Sequence, residues 1–219
     1  MKIAKLAIIL IGLFLLTILW GFSSEKENRN TSDIKQTSKE TKVAYFASGC
    51  FWCVEAIFES VRGVGEAVSG YAGGHTKNPT YKTIGTGKTG HAESVAVYYN
   101  PKEVSFQTLV TVFFGSHDPT TKNGQHPDYG SQYRSIAFYQ TQQEKEIIEN
   151  TIRKLNKEVY KGKIVTEVRK LEKFYPAEKY HQNYERLHPE NPYVQRVSIP
   201  RLNRFKKKFP ELLKKRKDG

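Results

Sequence analysis

The chain has 219 residues, of which 38% are hydrophobic and 12% aromatic, so it is long enough for one packed domain with additional segments. Its two cysteines are too few for a small domain stabilised mainly by disulfides. The formal net charge is +13, and residues 201–219 contribute nine Lys/Arg against two Asp/Glu, or +7. We expect these residues to form a basic C-terminal tail, either simply solvated or a patch for anionic lipid. No nucleic-acid-binding motif accompanies them.

An uncharged segment lies near the N-terminus. Residues 6–20, LAIILIGLFLLTILW, follow Lys2 and Lys5 and carry no charge. Their length is typical of a transmembrane helix, and a buried core helix is a poor alternative because the segment has no polar face. Residues 21–24 make a poor cleavage site, so residues 1–24 are predicted to be a membrane anchor in preference to a cleaved signal segment.

A polar segment separates this predicted anchor from the rest of the chain. Residues 25–42 are charged and nearly free of apolar side chains, so we predict a flexible linker. The folded domain is predicted to span residues 43–200. Because Lys2 and Lys5 should remain in the cytoplasm, the linker and the domain would lie outside it.

Hydrophobic patterns in the domain predict strand, helix, strand, strand, helix and strand, with one added helix. Helices should begin near Gly49, Ser105 and Thr141, the last with a capping box to Glu144. This order is typical of a ferredoxin-like α+β fold. The strands are predicted over residues 42–48, 63–74, 93–101, 134–140 and 163–171. The long loops are predicted to carry functional residues, and they span residues 76–90 and 117–132.

The only two cysteines, Cys50 and Cys53, form a C-x-x-C motif around Phe51 and Trp52. A zinc site would need a second pair of ligands, and the histidines show no such pairing. A structural disulfide in so short a loop would stabilise the fold weakly. Redox or nucleophilic chemistry is favoured, because a helix N-terminus stabilises a thiolate and the second thiol lies one turn away.

Several further segments accompany this motif. GCFWCVEA, GYAGG, NPTY, GHAESVAVYYNP, HDPT, DYGSQYRSIAFY and FYPAEKYHQNY occur in this order between residues 43 and 184. Together they resemble the A-type peptide methionine sulfoxide reductases. The resemblance implies that family's α+β sandwich fold and reduction of the S epimer of methionine sulfoxide, free or in proteins. It also implies a thioredoxin-like electron donor and no metal or organic cofactor.

The resemblance implies catalytic roles for residues far apart in the chain. Cys50 matches the family's nucleophile, and Glu93 matches the acid that protonates the sulfoxide oxygen, which requires burial to raise the pKa of its carboxyl group. Tyr81 and Tyr133 match phenols that hydrogen-bond this oxygen, and Asp128 matches a polar residue of the same pocket. Taken alone, Glu93 would be an ordinary strand residue and each tyrosine an ordinary half-buried aromatic.

The motif around the cysteines also departs from many relatives. Phe51 and Trp52 match the family's pocket for the methyl group, although Phe51 alone would be interpreted as a helix-packing residue. The sequence reads GCFWC where many relatives have GCFWG, and it has no cysteine after Cys53. We therefore expect Cys53 to resolve a sulfenic acid on Cys50 by forming a disulfide, with attack by an external thiol as the alternative.

Two functions are compatible with these patterns. The first is a sulfoxide-reducing enzyme anchored to the outer face of a bacterial inner membrane, or secreted if the N-terminal segment is cleaved, that repairs oxidised envelope proteins. The second is a membrane-tethered thiol–disulfide exchange protein that uses the same C-x-x-C motif. Exchange alone would not require Glu93, Tyr81 and Tyr133 near the thiols.

Overall fold

The computed structural model describes residues 41–215. The predicted anchor at residues 1–24, most of the predicted linker at residues 25–42, and residues 216–219 of the predicted tail lie outside this range. Within the part of the chain that the structure describes, every helix is too short or too polar to cross a membrane.

The described residues form an α+β fold with one six-stranded sheet and one two-stranded hairpin. The strands are β1 (Lys42–Ser48), β2 (Val64–Ala72), β3 (Ala92–Tyr99), β4 (Gly124–Gln125), β5 (Asp128–Tyr129), β6 (Ser135–Tyr139), β7 (Glu167–Lys170) and β8 (Phe174–Pro176). The α-helices are α1 (Phe51–Glu59), α2 (Tyr81–Ile84), α3 (Phe106–Gly115), α4 (Gln142–Leu155), α5 (Tyr184–Leu187) and α6 (Ile199–Lys208). Short 3-10 turns span Ser131–Tyr133, Lys179–His181 and Pro210–Leu212, and π-helical turns span Asn156–Tyr160 and Val194–Ser198.

The six-stranded sheet has the order β7-β6-β1-β3-β2-β8. Its four central strands pair antiparallel, with α1 connecting β1 to β2 and α3 lying between β3 and β6 in the chain. This is the ferredoxin-like core that the order of elements predicts. The chain after α4 then extends both edges, because β7 pairs parallel with β6 and β8 pairs antiparallel with β2. The strand predicted over residues 163–171 is confined to β7.

Aromatic stacking joins the sheet to its two crossover helices. Phe46 of β1 lies between Phe58 of α1 and Phe113 of α3, with ring centroids 5.1 and 5.2 Å away. Helix α1 also buries Val54 and Ile57, at the spacing that places side chains on one helical face. Each such side chain contributes about 1.5–3 kcal/mol when fully buried, so the position of α1 is firmly held. Its N-terminus is therefore a rigid base for the first cysteine.

Residues beyond 200 belong to the folded domain. Helix α6 buries Phe205, and Leu202, Phe209 and Leu212 pack on the same core. The backbone N–H of Arg62 donates a hydrogen bond to the backbone carbonyl of Leu212 at 2.8 Å. The prediction of a basic tail that starts at residue 201 is therefore wrong for residues 201–213. The segment is strongly basic, but every third or fourth side chain is apolar and turned inward, while the lysines at 206–208 stay exposed.

Candidate active site

Cys50 lies between β1 and α1, where it is the N-cap residue of the helix. The chain enters this junction through Gly49 in the left-handed conformation, with φ at +88°. A Cβ atom at this position would lie 2.7 Å from the Cβ of Gln125. Both the conformation and the close approach therefore require glycine here. The Cys50 side chain is 6% exposed, so its sulfur lies in a largely desolvated environment.

Glu93, on β3, lies beside the start of α1. Its Oε2 accepts a hydrogen bond from the N–H of Phe51 at 2.9 Å, and the residue is only 2% exposed. Burial raises the pKa of its carboxyl group to about 8, and the nearby charges of Asp128 and Cys53 act in the same direction. A carboxyl group that keeps its proton near neutral pH beside a thiol can protonate a substrate oxygen.

The two predicted phenols face the same groups. Tyr81 begins α2, and Tyr133 ends the 3-10 turn before β6. Burial raises the pKa of Tyr81 to about 12 and also raises the pKa of Tyr133. The carboxyl of Glu93 and the sulfur of Cys50 are close enough to raise both values further. Both phenols are therefore hydroxyl donors at neutral pH.

Phe51 and Trp52 form an aromatic wall at the start of α1. Trp52 is half-buried and stacks on Tyr184, with ring centroids 3.8 Å apart, and its Nε1–H donates to Nδ1 of His181 at 3.2 Å. Phe51 is fully buried, with its ring centroid 4.9 Å from that of His181 and 6.3 Å from that of Tyr81. The wall thus joins the cysteine motif to one of the phenols, and its apolar faces suit a methyl group or a thioether.

Cys50 and Cys53 are both free and buried. A hydrogen bond from Cys50 and the charge of Arg201 lower the pKa of Cys53 to about 6, although burial raises it. Burial raises the pKa of Cys50, and the neighbouring Cys53 sulfur acts in the same direction. The directions of these two shifts favour the shared negative charge of the pair on Cys53.

The sequence predictions missed three of the groups at this site. The Tyr193 hydroxyl donates to Oδ2 of Asp128 at 2.5 Å and lies close to the cysteine sulfurs. His181 orients Trp52, and Arg201 contacts the carbonyl of a residue 153 positions earlier in the chain. The apolar spacing in residues 194–205 could have indicated a packed helix. No local pattern could have placed its arginine beside the thiols.

Two cavities of this fold differ in their relation to the cysteine site. One of about 500 Å³ is lined by Asp128, Tyr193 and Arg201 among others, on the side of the C-terminal segment. A larger polar cleft of about 900 Å³ is lined by Arg134 and Arg169 and lies apart from the cysteines. None of the proposed site residues lines this second cleft. Among residues 41–215, His, Cys, Asp and Glu side chains do not gather in threes that could share a metal ion.

The chain is similar in sequence to known proteins. Residues 42–213 match the family model described as peptide methionine sulfoxide reductase. The chain is 45% identical over 179 residues to peptide methionine sulfoxide reductase MsrA 1 of Rhodopirellula baltica, a match that covers 82% of this chain and 93% of the relative. It is 48% identical over 164 residues to peptide methionine sulfoxide reductase MsrA of Trichodesmium erythraeum, which covers 74% and 93% respectively.

Solved structures share the fold. Methionine sulfoxide reductase A of Corynebacterium diphtheriae matches with a TM-score of 0.63 and 37% identity, over 69% of this chain and 76% of that one. Mxr1 from Saccharomyces cerevisiae in its reduced form matches with a TM-score of 0.64 and 33% identity, over 69% of this chain and 87% of that one. The chain therefore belongs to the peptide methionine sulfoxide reductase family and is an oxidoreductase of its A type.

Proposed function

We propose that this chain reduces the S epimer of methionine sulfoxide, free or within proteins, to methionine. The main support for the proposal is the buried carboxyl group of Glu93. It accepts a hydrogen bond from the backbone N–H of Phe51, the residue that follows Cys50. A sulfoxide oxygen leaves readily only when it is protonated, whereas thiol–disulfide exchange does not require a neutral acid beside the nucleophile. Phe51 and Trp52 would receive the methyl group.

In the first step, the Cys50 sulfur attacks the sulfoxide sulfur while its proton passes to the Cys53 thiolate. Glu93 gives its proton to the sulfoxide oxygen, and the phenols of Tyr81 and Tyr133 donate hydrogen bonds to that oxygen. Methionine then leaves as the thioether, and Cys50 retains the oxygen as a sulfenic acid. The substrate sulfur gains two electrons and the Cys50 sulfur loses two.

In the second step, Cys53 resolves the sulfenic acid. Its sulfur attacks the Cys50 sulfur, the bond between that sulfur and oxygen breaks, and the oxygen leaves as water with the remaining protons. One helical turn brings the two sulfurs close enough for this bond. A thioredoxin-like dithiol would then reduce the disulfide and restore both thiols. All electrons in this cycle come from thiols.

Mass spectrometry of the purified protein tests these steps. The protein is incubated without reductant with the separated S and R epimers of a methionine sulfoxide peptide. Loss of oxygen from the S epimer alone, together with a Cys50–Cys53 disulfide, is the expected result. Reduction of the R epimer, or of neither epimer, would contradict the proposed reaction.

The same experiment with Cys53→Ser tests the resolving step. The variant should still release one equivalent of methionine and leave a sulfenic acid on Cys50, which dimedone traps. Multiple turnovers with thioredoxin should then be slow. Turnover at the wild-type rate would show instead that an external thiol attacks the sulfenic acid directly.

We further propose that the enzyme is anchored to the outer face of a bacterial inner membrane and repairs envelope proteins. The uncharged residues 6–20, the two lysines before them and the polar residues 25–42 support this location. Bulk reductant is scarce outside the cytosol, so the donor there would have to be a dedicated thioredoxin-like protein.

A further inference from the structure

Glu55 carries a buried carboxyl group that the proposed reaction does not use. It lies on α1, two residues after Cys53, and is only 2% exposed. Its Oε2 accepts a hydrogen bond from the hydroxyl of Ser69, a buried residue of β2. Its Oε1 accepts a hydrogen bond from the backbone N–H of Asn183, 128 positions later in the chain. A carboxyl group this deeply buried is costly unless it is bonded, and here its two oxygens join α1, β2 and the C-terminal part of the chain.

The part of the chain that Glu55 holds is residues 178–184, which we call the connecting segment. Asn183 has a left-handed conformation, with φ at +56°, and immediately precedes α5. The side chain of Gln182 accepts a hydrogen bond from the N–H of Ser69 at 2.9 Å and donates one to the carbonyl of the same residue at 3.0 Å. The end of the connecting segment is therefore fixed to β2 by the Gln182 amide and to α1 by the Glu55 carboxyl group.

The connecting segment contacts two groups of the proposed site. His181 accepts the hydrogen bond from Nε1–H of Trp52 at 3.2 Å, and Tyr184 stacks on the indole with ring centroids 3.8 Å apart. At the other end of the segment, Glu178 accepts a hydrogen bond from the backbone N–H of Tyr81 at 3.1 Å. Because Trp52 is only half-buried, its ring depends on this segment for its hydrogen bond and for its stacked face.

We infer that Glu55 is a positioning residue that holds the connecting segment against Trp52 and thereby determines how closely the site fits the methyl group of the sulfoxide. The inference deepens the proposed function and rests on it for the role of Trp52. Without the carboxyl oxygens, the N–H of Asn183 and the hydroxyl of Ser69 would lose their buried partner. Such a loss is relieved by movement of the less firmly packed element, which here is the connecting segment.

The expected consequence is a loss of discrimination by size at the sulfur. A well-packed pocket distinguishes substrates that differ by one methylene about 10–200-fold, and this requires walls that their neighbours hold in place. If the connecting segment moves, the indole of Trp52 can move with it and the pocket widens. Cys50 and Glu93 stay on α1 and β3, so the chemistry at sulfur can still proceed.

The first test compares the S epimers of methionine sulfoxide and ethionine sulfoxide, which differ by one methylene at the sulfur. Glu55→Met keeps the length of the side chain but removes both acceptor oxygens. In this variant, kcat/KM for methionine sulfoxide should fall about tenfold or more, and its ratio to the value for ethionine sulfoxide should also fall, towards one. Partial unfolding would lower both values by the same factor and would leave the ratio unchanged.

Two further variants serve as controls. Glu59→Met is the matched control, because Glu59 lies one turn further along α1 and bonds the N–H of Ala67 on β2 at 3.4 Å. It should leave the ratio unchanged. Glu55→Gln retains one oxygen for the N–H of Asn183 and should keep most of the discrimination. If Glu55→Met does not fold, Glu55→Asp replaces it, since the shorter side chain draws the oxygens away from Asn183 and should lower the ratio in the same direction.

A second readout needs no sulfoxide. The chain has two tryptophans, so Trp20→Phe in the full chain leaves the fluorescence of Trp52 alone. In this parent, Glu55→Met should shift the emission of Trp52 to longer wavelength and increase its quenching by acrylamide, because the indole becomes more exposed. Glu59→Met should change neither quantity.

Four results would overturn the inference. They are an unchanged substrate ratio in the folded Glu55→Met or Glu55→Asp variant, Trp52 fluorescence in that variant that matches the parent, equal changes in Glu59→Met, and a Glu55→Gln variant that loses as much discrimination as Glu55→Met. If the parent reduces neither sulfoxide, the proposed function fails. The fluorescence of Trp52 then still decides whether Glu55 holds the connecting segment in place.

Discussion

The protonation of individual residues at this site is controlled by burial. Glu93 has a pKa of about 8, so it is mostly a neutral acid below that pH. In Glu93→Gln, the amide oxygen can still accept the Phe51 N–H, but the side chain cannot supply a proton. We expect methionine formation to fall about 10²–10⁴-fold. The wild-type rate should decline as the pH rises through about 8, and this decline should disappear in the variant. A pH profile of methionine formation checks both; an unchanged alkaline decline in Glu93→Gln would contradict the role of Glu93.

The same residue should also make stability depend on pH. The carboxyl group has a pKa near 4.5 when unfolded and about 8 when folded, so the native state binds its proton more tightly. Its contribution to stability is complete below pH 4.5 and is lost towards pH 8, by about 1.4 kcal/mol per pH unit at most. Relative to the wild type, Glu93→Gln should therefore gain stability between pH 5 and pH 8. Urea unfolding at both pH values measures this difference, and a constant difference would contradict it.

At the scale of elements, the start of α1 depends on the conformation of Gly49. Gly49→Ala combines a positive φ with a contact of 2.7 Å to Gln125, so we expect a loss of about 2–4 kcal/mol in the free energy of unfolding. Gly162→Ala is the matched control, because Gly162 has a φ of +78° with open space around it. It should cost only about 1 kcal/mol. Denaturant unfolding compares the two, and equal losses would show that the contact with Gln125 is unimportant.

Helix α6 was not predicted from the sequence, and its packing against the core can be tested. Phe205→Ala removes a buried ring from the core and should cost about 3–5 kcal/mol, whereas Lys207→Ala on the exposed face should stay within about 0.5 kcal/mol. Thermal or urea unfolding gives both values. A loss of less than 1 kcal/mol for Phe205→Ala would mean that the helix is not part of the cooperative fold.

In the molecule as a whole, the features that could be predicted from the sequence were those that produce a pattern among neighbouring residues. Alternating and helical hydrophobic periods indicated the ferredoxin-like core, and motif resemblance indicated Cys50, Glu93 and the phenols. The parallel pairing of β7, the packing of α6 and the contact between Arg201 and Ser48 depend on residues far apart in the chain. The many basic residues of α6 also prevented its apolar face from being recognised in the sequence.

The separation of the chain into a predicted anchor and a catalytic domain leads to a last prediction. All the proposed site residues lie between residues 42 and 213, which is also the span of the family match. A chain without residues 1–40 should therefore reduce a methionine sulfoxide peptide with nearly the same kcat/KM as the full chain. It should at the same time move from the membrane fraction to the soluble fraction of the cell, because the uncharged residues 6–20 would be gone. Protease added to intact spheroplasts should digest the domain of the full chain, because the two lysines are predicted to keep the N-terminus in the cytoplasm and the domain outside. Protection of the domain, or recovery of the full chain with cytosolic markers, would contradict the proposed location while leaving the proposed reaction intact.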